Sequence, residues 1–162
     1  MPHESRLTRE LRALLHSRRT AALGTITDEG TPFVSMVPFA MLPALGCIVI
    51  HISSLAAHTR YLLARPAVSL LVVQCEAPDE PVHALPRATL EGLARILEPD
   101  SEAGRACRAA YLQRFPEAQP MTELGDFMFV AIQLKGARQV AGFGSARSID
   151  EDELRLALTP PR

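Results

Sequence analysis

TAALGTITDEGTPFVSMVPFAM, residues 20–41, decides the fold class. Residues 20–26 form an apolar strand candidate, and the following TDEGT is a hairpin turn in which Gly30 can adopt a positive φ. Residues 32–41 form the second strand of this hairpin. Pro38 within it indicates an edge strand, a bulge or a ligand-facing stretch, because proline cannot donate a hydrogen bond to the ladder. The stretch therefore predicts antiparallel β-structure.

Short strands continue along the rest of the chain. CIVIHI, residues 47–52, is a continuous apolar run, which indicates a strand buried on both faces. Residues 87–98 are ambiguous: their alternation favours a strand with Arg87, Thr89 and Glu91 on one face, and a helix is the alternative. Further strands are predicted over residues 67–73 and 127–134, and a turn, a short strand and a glycine-rich end over residues 135–146.

Helices are predicted between these hairpin-like groups rather than in strict alternation with the strands. Leucines at helical spacing predict the first helix, residues 5–18. The others are predicted over residues 53–65 and 100–114, with a marginal helix in the tail from residue 150. This arrangement favours an antiparallel barrel with appended helices over a doubly wound sheet.

Composition limits the class of protein. The 162 residues suffice for one domain with its own core, and 48% of them are apolar. The net charge of −1 gives no support for nucleic acid or an acidic membrane as the main partner. The apolar runs are too short to span a bilayer and the charged N-terminus lacks a signal-peptide core, so a cytoplasmic protein is expected. Three cysteines without C-x-x-C spacing predict neither a disulfide framework nor a zinc site.

SSLAAHTRYLLARP, residues 53–66, is the first stretch that could carry chemistry. Ser53 or Ser54 can cap the helix, whose N-terminal amides attract an anion, and His58 and Arg60 can add positive charge. The segment could equally be an ordinary crossover between two strands.

Two further features have a functional and an ordinary interpretation. Arg87 beside Thr89 is either a fixed donor aimed at a planar acceptor or a solvated residue on the outer face of a strand. The five histidines show no spacing typical of a metal site, so no metal is expected.

The order of these pieces resembles the pyridoxamine 5'-phosphate oxidase-like FMN-binding split barrels, and within them the haem-utilisation branch. The resemblance rests on ALGTI, GTPFVSMVPFAM, HISSLAAHTRYLLARPAVSLLV, PRATLEGLARIL, LGDFMFVAIQL and VAGFGSA, which together cover residues 20–146. It implies a mainly β (α+β) fold, a six-stranded antiparallel split β-barrel with flanking helices. The single domain would span residues 1–162, with its core at 20–146 and a tail from 150.

The resemblance also implies a homodimer with FMN at the subunit interface and a small-molecule substrate. Residues on the second strand would run along the flavin, those after the third strand would hold its phosphate, and Arg87 would reach the isoalloxazine edge beside Thr89. The residues so assigned are Ser35, Met36, Val37, Pro38, Ser53, Ser54, His58, Thr59, Arg60, Arg87 and Thr89. His58 stands where relatives place a basic residue, often lysine.

Two departures from the branch bear on function. Tyr61 stands where the branch commonly has asparagine, and no histidine follows His83, although haem-degrading relatives ligate iron with a histidine near the C-terminus. The main hypothesis is therefore an FMN-dependent oxidoreductase of unknown substrate, with no general base assigned. The alternatives are a haem-binding or haem-degrading protein whose iron ligand is His51, His58 or His83, and a flavin-binding module without turnover.

Overall fold

The computed structural model describes residues 4–161, so the predicted domain limits at residues 1 and 162 lie outside it. Eight strands and four α-helices account for most of this part of the chain. The strands are β1 (Thr20–Ile26), β2 (Pro32–Pro38), β3 (Ala40–Leu42), β4 (Cys47–Ser53), β5 (Ala67–Val73), β6 (Arg87–Ile96), β7 (Phe127–Val140) and β8 (Ala146–Ile149). The helices are α1 (Arg6–Ser17), α2 (Ala57–Ala64), α3 (Glu102–Arg114) and α4 (Glu151–Leu158).

All strands belong to one antiparallel sheet with the order β2-β1-β5-β6-β7-β4-β3, and β8 pairs with β7. The sheet curls into a half-barrel, which confirms the predicted mainly β class and its flanking helices. The hairpin turn is also confirmed, since Gly30 has a φ of 83°.

The predicted strand at residues 32–41 is two strands. The chain leaves β1 after Pro38, and the Phe39 amide donates to the Arg19 carbonyl before β3 begins to pair with β4. The run predicted as one strand thus pairs with two different strands, since β2 pairs with β1 and β3 pairs with β4. This break, together with β8, raises the number of strands from the expected six to eight.

The turn predicted after residue 134 is wrong, because β7 continues to Val140. A bulge accommodates the run: the register with β6 shifts between Glu91 and Gly92, and Lys135 is the extra residue. Gly92 allows this close approach, since a Cβ there would lie 2.5 Å from the Gln133 carbonyl oxygen. The ambiguous segment from Arg87 is a strand, because β6 pairs with both β5 and β7.

Two apolar clusters hold the sheet together. The larger one fills the inside of the half-barrel and includes Leu23, Ile50 and Leu90. The smaller one lies between the outer side of β4 and α3, around Val49 and Tyr111. Residues 47–52 are consequently buried on both faces, as the apolar run predicted.

The helices α1 and α4 pack against each other. Asp150 caps α4 by accepting from the Glu153 amide at 2.9 Å, so the marginal helix of the sequence is a capped one. Glu153 in turn accepts from Thr8 of α1 and from Arg147 of β8, both at 2.6 Å. Within residues 4–161, no helix is both long and apolar enough to cross a membrane.

Candidate functional site

The start of α2 differs from the predicted cap. Neither Ser53 nor Ser54 caps the helix; its N-cap is Ala56, which makes no side-chain capping bond within the described part of the chain. The Ser53 hydroxyl donates instead to Asp126 Oδ2 at 2.8 Å and accepts from the Leu55 amide at 3.1 Å. The cap is displaced because β4 runs through Ser53 and the helix begins only at residue 57. The first turn of α2 is therefore left without a side-chain acceptor.

His58 and Ser35 come together across 23 residues of sequence. His58 lies in the first turn of α2 and its Nδ1 is 2.8 Å from the Ser35 Oγ on β2. Burial lowers the pKa of His58 below its ordinary value, so its imidazole is neutral at pH 7. Its Nε2 forms no bond to any group among residues 4–161. The pair thus presents a fixed, neutral imidazole with one nitrogen free.

The two residues after His58 are engaged by the fold. Thr59 is buried and its hydroxyl donates to the Ser53 carbonyl at 2.6 Å. Arg60 is exposed; its Nε lies 3.1 Å from Asp28 Oδ2, and its guanidinium lies 5.1 Å from the Tyr61 ring centroid. A phosphate in this place would meet a neutral histidine and an arginine that already has a carboxylate partner.

The strand β2 divides the other predicted flavin contacts between two faces. Ser35 and Val37 point to the less exposed side, where Val37 is 1% exposed in the barrel core. Met36 and Pro38 lie on the opposite side, and Met36 is 65% exposed. The structure therefore brings Ser35 to His58 and keeps Met36 away from that side of the strand.

Arg87 and Thr89 lie on the same outer side of the sheet as Met36. Register places Met36 beside Ala22, Ala22 beside Leu71 and Leu71 beside Thr89. The Arg87 guanidinium donates to the carbonyls of Leu85 at 3.0 Å and His83 at 3.4 Å, so it is held against its own loop. The flavin-binding roles of this set stay predictions.

The outer side of the sheet carries an exposed apolar surface, which we call the outer face. It consists of Val34, Met36, Leu71, Val73 and Leu93, of which the β2 pair is the most exposed. A groove of about 590 Å³ runs beside it, and Val34 and Leu93 are the members of the outer face that line this groove. Exposed apolar surface is typical of a protein–protein or ligand contact when it is extensive.

The sequence indicated His51 only as a possible iron ligand. His51 lies on the side of β4 covered by α3, is 6% exposed, and lines a cavity of about 340 Å³. Its only sequence signal is that it is the polar residue in an otherwise apolar run. Among the described residues, no group of three or more histidine, cysteine or acidic side chains is placed to hold a metal ion.

A family model described as pyridoxamine 5'-phosphate oxidase matches residues 7–141 of the chain. The chain belongs to this family. The match covers the half-barrel from α1 to the end of β7, and it confirms the resemblance inferred from the motifs.

Two curated relatives are named for haem. The chain is 32% identical over 152 residues to heme oxygenase HutZ of Vibrio cholerae, covering 93% of this chain and 85% of that protein. It is 37% identical over 151 residues to the chloroplastic non-canonical heme oxygenase HOZ of Arabidopsis thaliana, covering 89% of this chain but only 44% of that protein.

Solved structures agree with the family. A heme binding protein from Mycobacterium smegmatis superposes with a TM-score of 0.84 at 28% identity, covering 95% of this chain and 62% of that one. HutZ, described as a heme storage protein, superposes with a TM-score of 0.74 at 30% identity, covering 82% of this chain and 94% of that one. These names favour the haem alternative over the flavin-dependent oxidoreductase, which only the family-level match supports.

Proposed function

We propose that this chain binds haem and that His58 would hold its iron. The observation that carries the proposal is the His58–Ser35 pair. Iron is ligated by neutral imidazole, and the ligating ring is typically held by a hydrogen bond to its other nitrogen. His58 meets both conditions, since burial keeps it neutral and Ser35 holds Nδ1 at 2.8 Å.

The other two candidate ligands fit less well. His51 lies under α3 in a cavity of about 340 Å³, close to the lower limit of roughly 300 Å³ for drug-sized ligands, and a tetrapyrrole needs more space. His83 is exposed, in the short helical turn Val82–Ala84 before β6, and its ring has no partner among residues 4–161. His58 is half-buried beside the edge strand β2, where its Nε2 is free to bind.

The residues around His58 would also bind the acidic groups of haem. The first turn of α2 lacks a side-chain cap, so its amides can donate hydrogen bonds to a propionate, which the positive end of the helix would also stabilise. Bound haem supplies an iron that reacts with oxygen, and the two curated relatives are named heme oxygenases. We propose the same haem-degrading activity here, with His58 positioning the iron and no protein residue required as a general base.

A homodimer is part of the proposal. The outer face leaves Val34 67% and Met36 65% exposed, which is costly for apolar side chains in water. A second copy of the chain seated on this face would bury them. Ser35 lies on the opposite side of β2 from Met36, so this contact would cover the outer face and not the His58–Ser35 pair.

FMN is the second candidate, supported by the uncapped first turn of α2 and by the family match. The engaged cations argue against it. Arg60 is paired with Asp28 and His58 is neutral, so the predicted phosphate cradle offers little free positive charge.

Titration of the purified protein with haemin tests the proposal. We expect a Soret band shift that saturates near one haem per chain and is lost in His58→Ala. The matched control is His83→Ala, which removes an exposed histidine and should leave the spectrum unchanged. An unaltered Soret band in His58→Ala would remove His58 from this role, and a flavin spectrum in the purified protein would favour the FMN candidate.

A further inference from the structure

A second cavity lies outside the proposed haem site, between β4, α3 and the short helical segment Pro116–Glu123. Its volume is about 340 Å³. The lining residues are Arg19, Thr20, Pro38, His51, Tyr111, Phe115, Glu117, Ala118 and Met121. None of them contacts the His58–Ser35 pair through a hydrogen bond, so the cavity is distinct from the site proposed for haem.

His51 is the unusual residue of this cavity. It is 6% exposed, and its Nδ1 is buried without a hydrogen-bond partner. No other residue between 4 and 161 pairs with either ring nitrogen. A buried polar group without a partner is rare in native proteins, because water bound to it in the unfolded chain is lost without replacement. Because Nδ1 is enclosed, the nitrogen that a molecule in the cavity can reach is Nε2, which likewise has no partner among residues 4–161.

The walls of the cavity select the shape of that partner. The His51 ring lies 5.6 Å from the ring centroid of Tyr111, which also lines the cavity, and 4.4 Å from that of Phe129, which lies outside the lining. Tyr111 in turn lies 4.9 Å from Phe115. Aromatic side chains at such distances favour another planar ring in offset or edge contact.

The charges around the cavity select a neutral partner. Arg19 and Glu117 form an ion pair with each other, so they leave no net charge at the opening. Burial, with a smaller contribution from Arg108, lowers the pKa of His51, and the imidazole is therefore neutral. A charged ligand would lose its hydration here without gaining an opposite charge.

We infer that this cavity binds a small, neutral, planar aromatic alcohol whose hydroxyl group hydrogen-bonds to His51. A hydroxyl group both donates and accepts, so it pairs with either tautomer of a neutral imidazole. The aromatic body would lie among Tyr111, Phe115 and Met121. A two-ring molecule suits a cavity of about 340 Å³, whereas a tetrapyrrole does not.

The probe is 2-naphthol, and naphthalene is its matched control because it lacks only the hydroxyl group. Fluorescence titration of the full chain should show 2-naphthol binding at least tenfold more tightly than naphthalene. His51→Phe keeps a ring of similar size, so it should remove this preference and leave naphthalene affinity unchanged. Equal affinity for the two probes, or an unchanged preference in His51→Phe, would overturn the inference.

Two measurements keep the test decisive. Imidazole ¹⁵N shifts of the unaltered protein should change at His51 and not at His83 when 2-naphthol is added, which does not depend on any variant folding. Haemin should bind without displacing 2-naphthol. Displacement would place the cavity within the haem site and refute a separate site, whereas loss of haem binding in His58→Ala leaves this inference untouched.

Discussion

Replacing Gly92 by alanine tests the bulge that lets β7 run to its full length. A Cβ built on Gly92 lies 2.5 Å from the Gln133 carbonyl oxygen and 2.9 Å from Ile132 Cγ2. The carbonyl belongs to the backbone of the central strand β7, which is paired with β4 on its other side, so it has little freedom to move. Something in the sheet must therefore shift to admit one methyl group.

The expected cost follows from overpacking of a sheet interior. Inserting atoms into a well-packed site typically lowers the free energy of unfolding by about 1–3 kcal/mol. For a chain of 162 residues, each kcal/mol lowers the melting temperature by about 2–4 °C, so the variant should melt about 2–12 °C below the parent. The control is Gly125→Ala, since nothing lies within 4 Å of a Cβ at Gly125.

Thermal unfolding followed by circular dichroism measures both variants against the parent protein. Gly125→Ala should equal the parent or exceed it slightly, because alanine restricts the unfolded chain in open space. If Gly92→Ala had the same melting temperature as Gly125→Ala, the reasoning would be refuted, because the close approach of β6 and β7 would then not require glycine at residue 92.

Three further predictions concern the proposed site and the dimer. Ser35→Ala should weaken haem binding by roughly 10–100-fold in a Soret titration, because the ligand loses its orienting hydrogen bond, while Ser54→Ala, whose exposed side chain makes no such contact, should not. His58 should titrate by NMR with a midpoint below about 6.5. The contribution of neutral His58 to stability is present above about pH 6.5 and is lost as the pH falls toward the lower folded-state pKa. Haem affinity should fall as the pH approaches that folded-state pKa and passes below it, because protons compete with iron for the imidazole of the folded protein. A midpoint above 6.5 would contradict this reasoning. Met36→Glu should convert a dimer to a monomer in light scattering, whereas Leu55→Glu, exposed away from the outer face, should leave the dimer intact.

Local pattern predicted much of the barrel correctly. Alternating burial in β1 and β6 follows directly from side chains that point to opposite faces of a strand. The apolar run of β4 predicted burial on both faces, and α3 supplies the second covering layer. These properties depend on near neighbours in sequence, which is why the pattern sufficed.

The residues at which the strands begin and end could not be predicted from local pattern. The break after Pro38 and the continuation of β7 beyond Lys135 depend on which partner strand is available, and that is settled only when the sheet assembles. A glycine at residue 136 reads as a turn in isolation, yet a bulge opposite Gly92 makes it part of a strand.

The candidate site shows the same division. From the sequence alone, the order of motifs determined the family and drew attention to residues 53–66. Only the tertiary structure decided what those residues do: Ser53 binds Asp126 instead of capping α2, and Arg60 pairs with Asp28. It also placed Ser35 on His58 and buried the ring enough to keep it neutral. Motif order is a property of the chain, whereas hydrogen-bond partners and desolvation are set by segments that meet only in the folded protein.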